Sequence, residues 1–115
     1  MPGLSIHVVD VARGLVATGL RVEVWDLSTG AQVAEGRIDT TGLLPSPALS
    51  ARFEPGPYEA RFHVADYYRG TGQTLPATPF LDVVHYRFGI DDPAQHYHLP
   101  FKMTPWGYSC FRGGA

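Results

Sequence analysis

Two of the five histidines, His7 and His98, stand where alternating strand patterns leave their side chains off the apolar face. In Leu4-Ser5-Ile6-His7-Val8-Val9-Asp10 the core set is Leu4, Ile6 and Val8, so Ser5, His7 and Val9 project to the other side. In His98-Leu99-Pro100-Phe101-Lys102-Met103 the core set is Leu99, Phe101 and Met103, which leaves His98, Pro100 and Lys102 opposite. Imidazole titrates near neutral pH, so two such rings on one surface suit general acid–base chemistry. The plainer reading makes each a polar residue on a solvated strand face. His96 shares the parity of His98, and a His-x-His pair suits zinc. No cysteine or third histidine is spaced to complete such a site, so no metal or other cofactor is expected, and His63, His85 and His96 read as structural or surface residues. Cys110 lies on the face opposite Ser109 and Phe111 with no base beside it, which makes it a small packed residue rather than a nucleophile.

The elements that must position these groups are short strands. The 115-residue chain suffices for one domain, residues 1–115, with one core. Its 13 glycines and 10 prolines are spread evenly between β-branched and aromatic runs, which points to an all-β sandwich rather than disorder. Strands are expected at Leu4–Asp10, Leu20–Leu27, Gln32–Arg37, Ala51–Phe53, Tyr58–Val64, Phe80–Gly89, His98–Met103 and Tyr108–Arg112. Ser28-Thr29-Gly30 makes a hairpin of the second and third. Ala65–Gly70 reads as one helical turn stopped by Gly70 or Gly72. Eight strands suit two stacked four-stranded antiparallel sheets with one short helix.

Composition narrows the partners. The net charge is −2 and the basic residues are scattered, so neither nucleic acid nor an anionic membrane is expected. No apolar run approaches the roughly 20 residues that span a bilayer. The single cysteine excludes an internal disulfide framework. With no basic, apolar and cleavable leader pattern, the expected location is the cytoplasm.

Taken together, Leu4-Ser5-Ile6-His7-Val8-Val9-Asp10, Phe53-Glu54-Pro55-Gly56-Pro57-Tyr58, Tyr67-Tyr68, His96-Tyr97-His98-Leu99-Pro100 and Thr104-Pro105-Trp106-Gly107-Tyr108-Ser109 resemble the transthyretin-related family over nearly the whole chain. Its enzymatic branch is 5-hydroxyisourate hydrolase. The resemblance implies a sandwich of two four-stranded sheets, assembled as a homotetramer (a dimer of dimers) with small-molecule sites in the channel between dimers. It implies cleavage of a cyclic amide by two histidines, a loop arginine and a C-terminal Tyr-Arg-Gly-Ser. The histidines fall on His7 and His98, and the tail falls on Phe111-Arg112-Gly113-Gly114, with Ala115 added beyond it. The loop arginine falls on Leu43, after Gly42.

Three of these positions depart from the family pattern: Leu43, Phe111 and Gly114. Leucine cannot stabilise negative charge on an opening amide, and losing one such donor commonly lowers the rate on the order of 10²–10³. Leu43 then becomes an apolar pocket wall, and Lys102, on the His98 face, offers a positive charge without the fork of an arginine. Arg112 either binds substrate or anchors the last strand to a neighbouring subunit. The substrate-contacting set is therefore Arg112, Lys102, Phe111, Leu43 and Ser109, around His7 and His98 as the catalytic pair. The expected function is His-based chemistry on a small purine-derived or other heterocyclic ring, whether ring opening, cyclisation or isomerisation. The alternatives are a non-catalytic small-ligand-binding protein and a purely structural remnant.

Overall fold

The alternation read along the chain becomes, in a computed structural model that describes residues 2–114, two four-stranded sheets packed face to face. The strands are β1 (Gly3–Asp10), β2 (Leu15–Val16), β3 (Arg21–Asp26), β4 (Ala31–Arg37), β5 (Gly56–His63), β6 (Val83–Ile90), β7 (His96–Thr104) and β8 (Gly107–Cys110). One helix, α1 (Val64–Gly70), follows β5. The sheets run β2-β1-β7-β8 and β4-β3-β5-β6. Every pairing is antiparallel except β1 with β7, which runs parallel over eight registered positions. Among the described residues no helix is long and apolar enough to cross a membrane.

Between the sheets lies the core that the alternation predicted. Leu4, Ile6, Val8, Leu99, Phe101 and Met103 come from one side, and Val22, Val24, Ala60 and Phe62 from the other. Phe62 of β5 and Phe101 of β7 stack with ring centroids 3.8 Å apart, a direct tie between the layers. Asp10, fully buried at the end of β1, is the polar exception. Its carboxyl accepts hydrogen bonds from Tyr68 (2.6 Å), Tyr67 (2.9 Å) and the Arg13 backbone N–H (3.2 Å). Helix α1 is thereby tied to the end of β1, and Tyr68 also donates to the Met103 carbonyl.

Several boundaries differ from the sequence reading. Ala51–Phe53 is not a strand: a 3-10 turn, Pro47–Ser50, precedes it, and Phe53 is held by an edge-on contact with Tyr58 instead of a ladder. The eighth strand is β2, whose two residues pair with Val9 and Asp10 and are too few to alternate visibly. β6 begins at Val83 rather than Phe80, because the carbonyl of Asp82 is turned to accept the first amides of α1, Val64 and Ala65. β8 ends at Cys110 rather than Arg112. Its register would next set Phe111 against Pro100, which has no N–H to donate.

On the outer face of the second sheet, charge is buried by other charges. Glu59 is 2% exposed and accepts from Arg61, Arg87 and His85. The Arg61 hydrogen bond, opposed by burial and aided by Arg87 and His85, holds its carboxyl down to about 2. Glu23 pairs with His63 and accepts from the Trp25 indole. Burial pushes the Glu23 carboxyl up, but these two hydrogen bonds and the nearby Arg21 outweigh it and hold the group below its ordinary value.

The Asp10 cluster generates a stability prediction. Tyr68→Phe and Tyr67→Phe each strip a donor from a buried acceptor, and each is expected to cost about 1–3 kcal/mol. Urea unfolding of both variants is the check; losses below about 0.5 kcal/mol in both would show that Asp10 does not hold α1 in place.

Candidate functional site

The parallel pairing of β1 with β7 decides what lies beside what on the outer face of the first sheet. It sets Ser5 opposite His98, His7 opposite Pro100, and Val9 opposite Lys102. β8 sets Ser109 opposite Lys102. Beyond Cys110 the chain keeps this register, since the Gly113 N–H donates to the His98 carbonyl at 2.7 Å. On the far side of β1, Val8 N–H donates to Gly42 O (2.9 Å) and Leu44 N–H to Ile6 O (3.1 Å), so Leu43 bridges His7. In such a pair the side chains of Leu43 and His7 share one face at close range.

Three rungs result, each about 6.6 Å from the next. The first holds Ser5, His98 and Gly113. The second holds Leu43, His7, Pro100 and, by continuation of register, Phe111. The third holds Val9, Lys102 and Ser109. The fold thus gathers His7, His98, Leu43, Phe111, Lys102 and Ser109 onto one face. Lys102 lies a rung beyond His7 and two beyond His98, with its ammonium 5.8 Å from the Phe111 ring centroid. Leu43 is 40% exposed beside His7, as a pocket wall would be. Arg112 falls on the other side: its guanidinium sits 4.0 Å from the centre of the Tyr97 ring and donates to Gln95 Oε1 (3.1 Å) and the His96 carbonyl (3.4 Å). Within one chain it does not meet His98.

Each histidine is held by a specific partner. His7 Nε2 lies 3.1 Å from the Thr41 carbonyl, which can only accept, so Nε2 carries a hydrogen and Nδ1 is the atom free to exchange one. The loop presenting that carbonyl is knitted by Asp39, which accepts from the Thr41 hydroxyl (2.6 Å) and the amides of Thr41 (2.8 Å) and Leu43 (3.2 Å). Those bonds, led by the Thr41 hydroxyl, keep the Asp39 carboxyl below its ordinary range. His98 Nδ1 is 2.6 Å from Ser5 Oγ, which is also 2.8 Å from His96 Nε2. Burial, then the neighbouring His7 and His96, push the His98 imidazole below its usual pKa, against the pull of Ser5.

The His98–Ser5–His96 chain has two settings, because a hydroxyl has one hydrogen. In one, His96 Nε2–H donates to Ser5, whose hydroxyl donates to His98 Nδ1, leaving the hydrogen of His98 on Nε2. In the other, His98 Nδ1–H donates to Ser5, whose hydroxyl donates to His96, leaving His98 Nε2 open as a base. Passing between them moves protons along the chain without breaking it. Ser5 and His96 join His98 in a hydrogen-bonded group that reading one strand at a time does not reveal. Their shared parity with His7 and His98 was visible, but the registry of Ser5 with His98 depends on the parallel pairing of chain ends.

Two glycines make room for the rings. A Cβ on Gly42, whose φ is +87°, would lie 2.5 Å from His7 Nε2; one on Gly113 would lie 2.7 Å from His98 Cδ2. Cys110 is set apart from this face: it is packed against the core, and burial pushes its thiol up to about 11, away from thiolate chemistry. His63 and His85 are spent on Glu23 and Glu59. Among the described residues no three His, Cys, Asp or Glu side chains converge as metal ligands.

Comparison with known proteins agrees with this geometry in fold and length. A sequence profile of the HIUase/Transthyretin family matches residues 4–113. The 5-hydroxyisourate hydrolase of Deinococcus radiodurans is 43% identical over 115 residues, covering 97% of this chain and 96% of that one. The 5-hydroxyisourate hydrolase 2 of Rhizobium meliloti is 39% identical over 113 residues, covering 96% and 94%. Among solved structures, an (S)-allantoin synthase superposes with a TM-score of 0.88 at 34% identity, over 97% of this chain and 43% of that longer one.

The glycine contacts yield a test of the site's construction. Gly113→Ala is expected to displace the His98 ring, whereas Gly114→Ala, with open space around its added carbon, leaves it in place. Imidazole carbon–proton NMR spectra check this: the His98 Cδ2–H resonance should move in the first variant only, and equal shifts in both would contradict the packing.

Proposed function

The chain belongs to the HIUase/transthyretin family, and from that premise we propose that it is a hydrolase opening a small cyclic amide, 5-hydroxyisourate or a less polar ring built like it. The reading is carried by one observation: the His98–Ser5–His96 hydrogen-bond chain, with His7 one rung away on the adjacent strand.

A ring lying over the second rung meets His98 on one side and His7 on the other. His98, kept neutral near pH 7 by burial and its neighbours, takes a proton at Nε2 from the attacking water while its Nδ1–H is held by Ser5. The water oxygen bonds to the amide carbon and the carbon–nitrogen bond breaks. His7 delivers a proton from Nδ1 to the leaving ring nitrogen, its Nε2–H fixed on Thr41 throughout. The proton held by His98 then passes, directly or by way of solvent, to His7 Nδ1, so one water is consumed and both side chains return to their starting protonation. Leu43 and Phe111 flank His7 and Pro100 on that rung and would favour a flatter, less polar ring than an arginine in place of Leu43 would select.

The family's oligomer belongs to this proposal as a homotetramer in which a second copy closes the histidine face. Trp106, Tyr108 and Phe111 are exposed along the free β8 edge, apolar surface that an assembly would cover. Arg112, turned onto Tyr97 within its own chain, has the anchoring role open to it in such an assembly.

The experiment follows the decay of freshly made 5-hydroxyisourate with and without protein. Acceleration is expected, with His7→Ala and His98→Ala each losing on the order of 10²–10⁴ in kcat/KM. Ligand binding without turnover of any cyclic amide would replace the hydrolase reading with that of a small-ligand-binding protein. Leu43→Arg should change the preference between polar and apolar rings.

The pH profile is a separate check. His98 must be neutral to act as base, and its pKa is depressed, so the acid limb of kcat/KM should fall below the ordinary imidazole value of 6.5. The same shift has a stability sign: below about pH 6.5 the unfolded chain takes up a proton that folded His98 refuses, so this contribution is present at higher pH and lost on acidification. An acid limb at or above 6.5 would remove His98 from the role of base.

A further inference from the structure

A cavity of about 470 Å³ opens along α1, between the β1–β2 turn, the start of β3, the end of β4 and the helix. It is walled by Arg13, Arg21, Arg37, His63, Asp66 and Tyr67 among others, and none of these takes part in the histidine face.

The charges around it do not balance. Arg21 and Arg37 are direct cross-strand partners and both line the cavity, a placement of like charges that disfavours pairing. Arg13 comes from the facing turn, its backbone fixed by the Asp10 carboxyl. Among the described residues, none of these three arginines has a carboxylate oxygen within 4.0 Å, whereas Arg61 and Arg87 both share Glu59. Glu23 is close enough to Arg21 to feel its charge, but its oxygens are committed to His63 and Trp25. Arg37 places one guanidinium nitrogen on the Gly19 carbonyl at 3.0 Å and keeps its other donors free. Asp66 is the single carboxylate on the wall. Tyr67 is a neutral phenol, its ionisation opposed by burial and by Asp10.

We infer that this cavity is a second binding site, for a small metabolite carrying clustered oxyanions, either phosphoryl groups or several carboxylates. Guanidinium forks match both groups in bidentate geometry. The volume lies within the range of small-molecule pockets and exceeds what a single inorganic ion fills. Bound anion would relieve the Arg21–Arg37 repulsion and bridge β3 and β4 to the turn that carries Arg13. Because such a ligand binds the folded chain, it also raises the unfolding temperature by mass action.

Calorimetric titration of the full chain with pyrophosphate and with citrate, at ionic strength matched by sodium chloride, tests the site. Saturable binding of one anion per chain is expected, weakened about tenfold or more by Arg21→Gln and by Arg37→Gln. Arg52→Gln, an exposed arginine outside the cavity, should leave it unchanged. Tighter binding of pyrophosphate identifies a phosphoryl ligand, and tighter binding of citrate a polycarboxylate. In the unmodified chain the amides of Gly19, Gly70 and Thr71 should shift on titration while that of Gly113 stays still, a readout independent of whether variants fold. No saturation by either anion beyond the chloride control, undiminished binding in both arginine variants, or shifts confined to other surfaces would overturn the proposal.

Discussion

Everything on the histidine face depends on the parallel ladder between β1 and β7. These strands come from opposite ends of the chain, and both are central in their sheet. A slip of one residue would turn His98 into the core and Leu99 out of it, so the apolar alternation and the registry of the histidine face enforce each other. Ser5 meets His98 because Leu4 and Leu99, Ile6 and Phe101 are all required inside. The hydrogen-bond chain through Ser5 is therefore a by-product of core packing, held by far more buried surface than three polar groups could organise alone.

The ends of that ladder are fastened differently. At its C-terminal end, Asp10 is buried under Tyr67 and Tyr68, which couples helix α1 to the strand and, through the Met103 carbonyl, to β7 as well. At its N-terminal end, the tail after β8 returns over His98 and is held there by Gly113. The first fastening is rigid and fully satisfied. The second is one hydrogen bond beyond a proline gap in the ladder. The proposed chemistry sits at the loosely fastened end.

Sequence reading reached the layers, the core faces and the identity of the histidine face, because period-two alternation reports directly which side chains share a surface. Local alternation does not show that Glu23 and Glu59, outward by parity, are buried by their own ion pairs, since that burial depends on partners from adjacent strands of the sheet, His63 for Glu23 and His85 and Arg87 for Glu59. The strand expected at Ala51–Phe53 does not form; its one aromatic residue, Phe53, packs edge-on against Tyr58 instead. Sequence reading held two roles for Arg112, and the alternation that put Arg112 opposite Phe111 is the feature that carries it onto Tyr97. The parallel sense of β1 and β7 leaves no local trace, and with it the hydrogen bonds of Ser5 to His96 and His98 stay hidden. Ala115 lies outside the described residues.

The rungs also sharpen what Leu43 and Lys102 mean for one another. An amide that opens gathers negative charge on its oxygen, and some donor must meet it as the transition state forms. On this face of a single chain the cation available is Lys102, a diagonal neighbour of His7 across the ladder and about 13 Å along the strand from His98. In the proposed reaction a lysine there would serve charge at the His7 end of a bound ring, with Ser109 beside it, while Leu43 lines the other flank of His7 with hydrocarbon. The polar and apolar sides of the pocket are thus exchanged relative to a site with a loop arginine at that position. A substrate suited to this face would carry its developing oxyanion toward β8 and its least polar edge toward the loop, and that orientation follows from register alone.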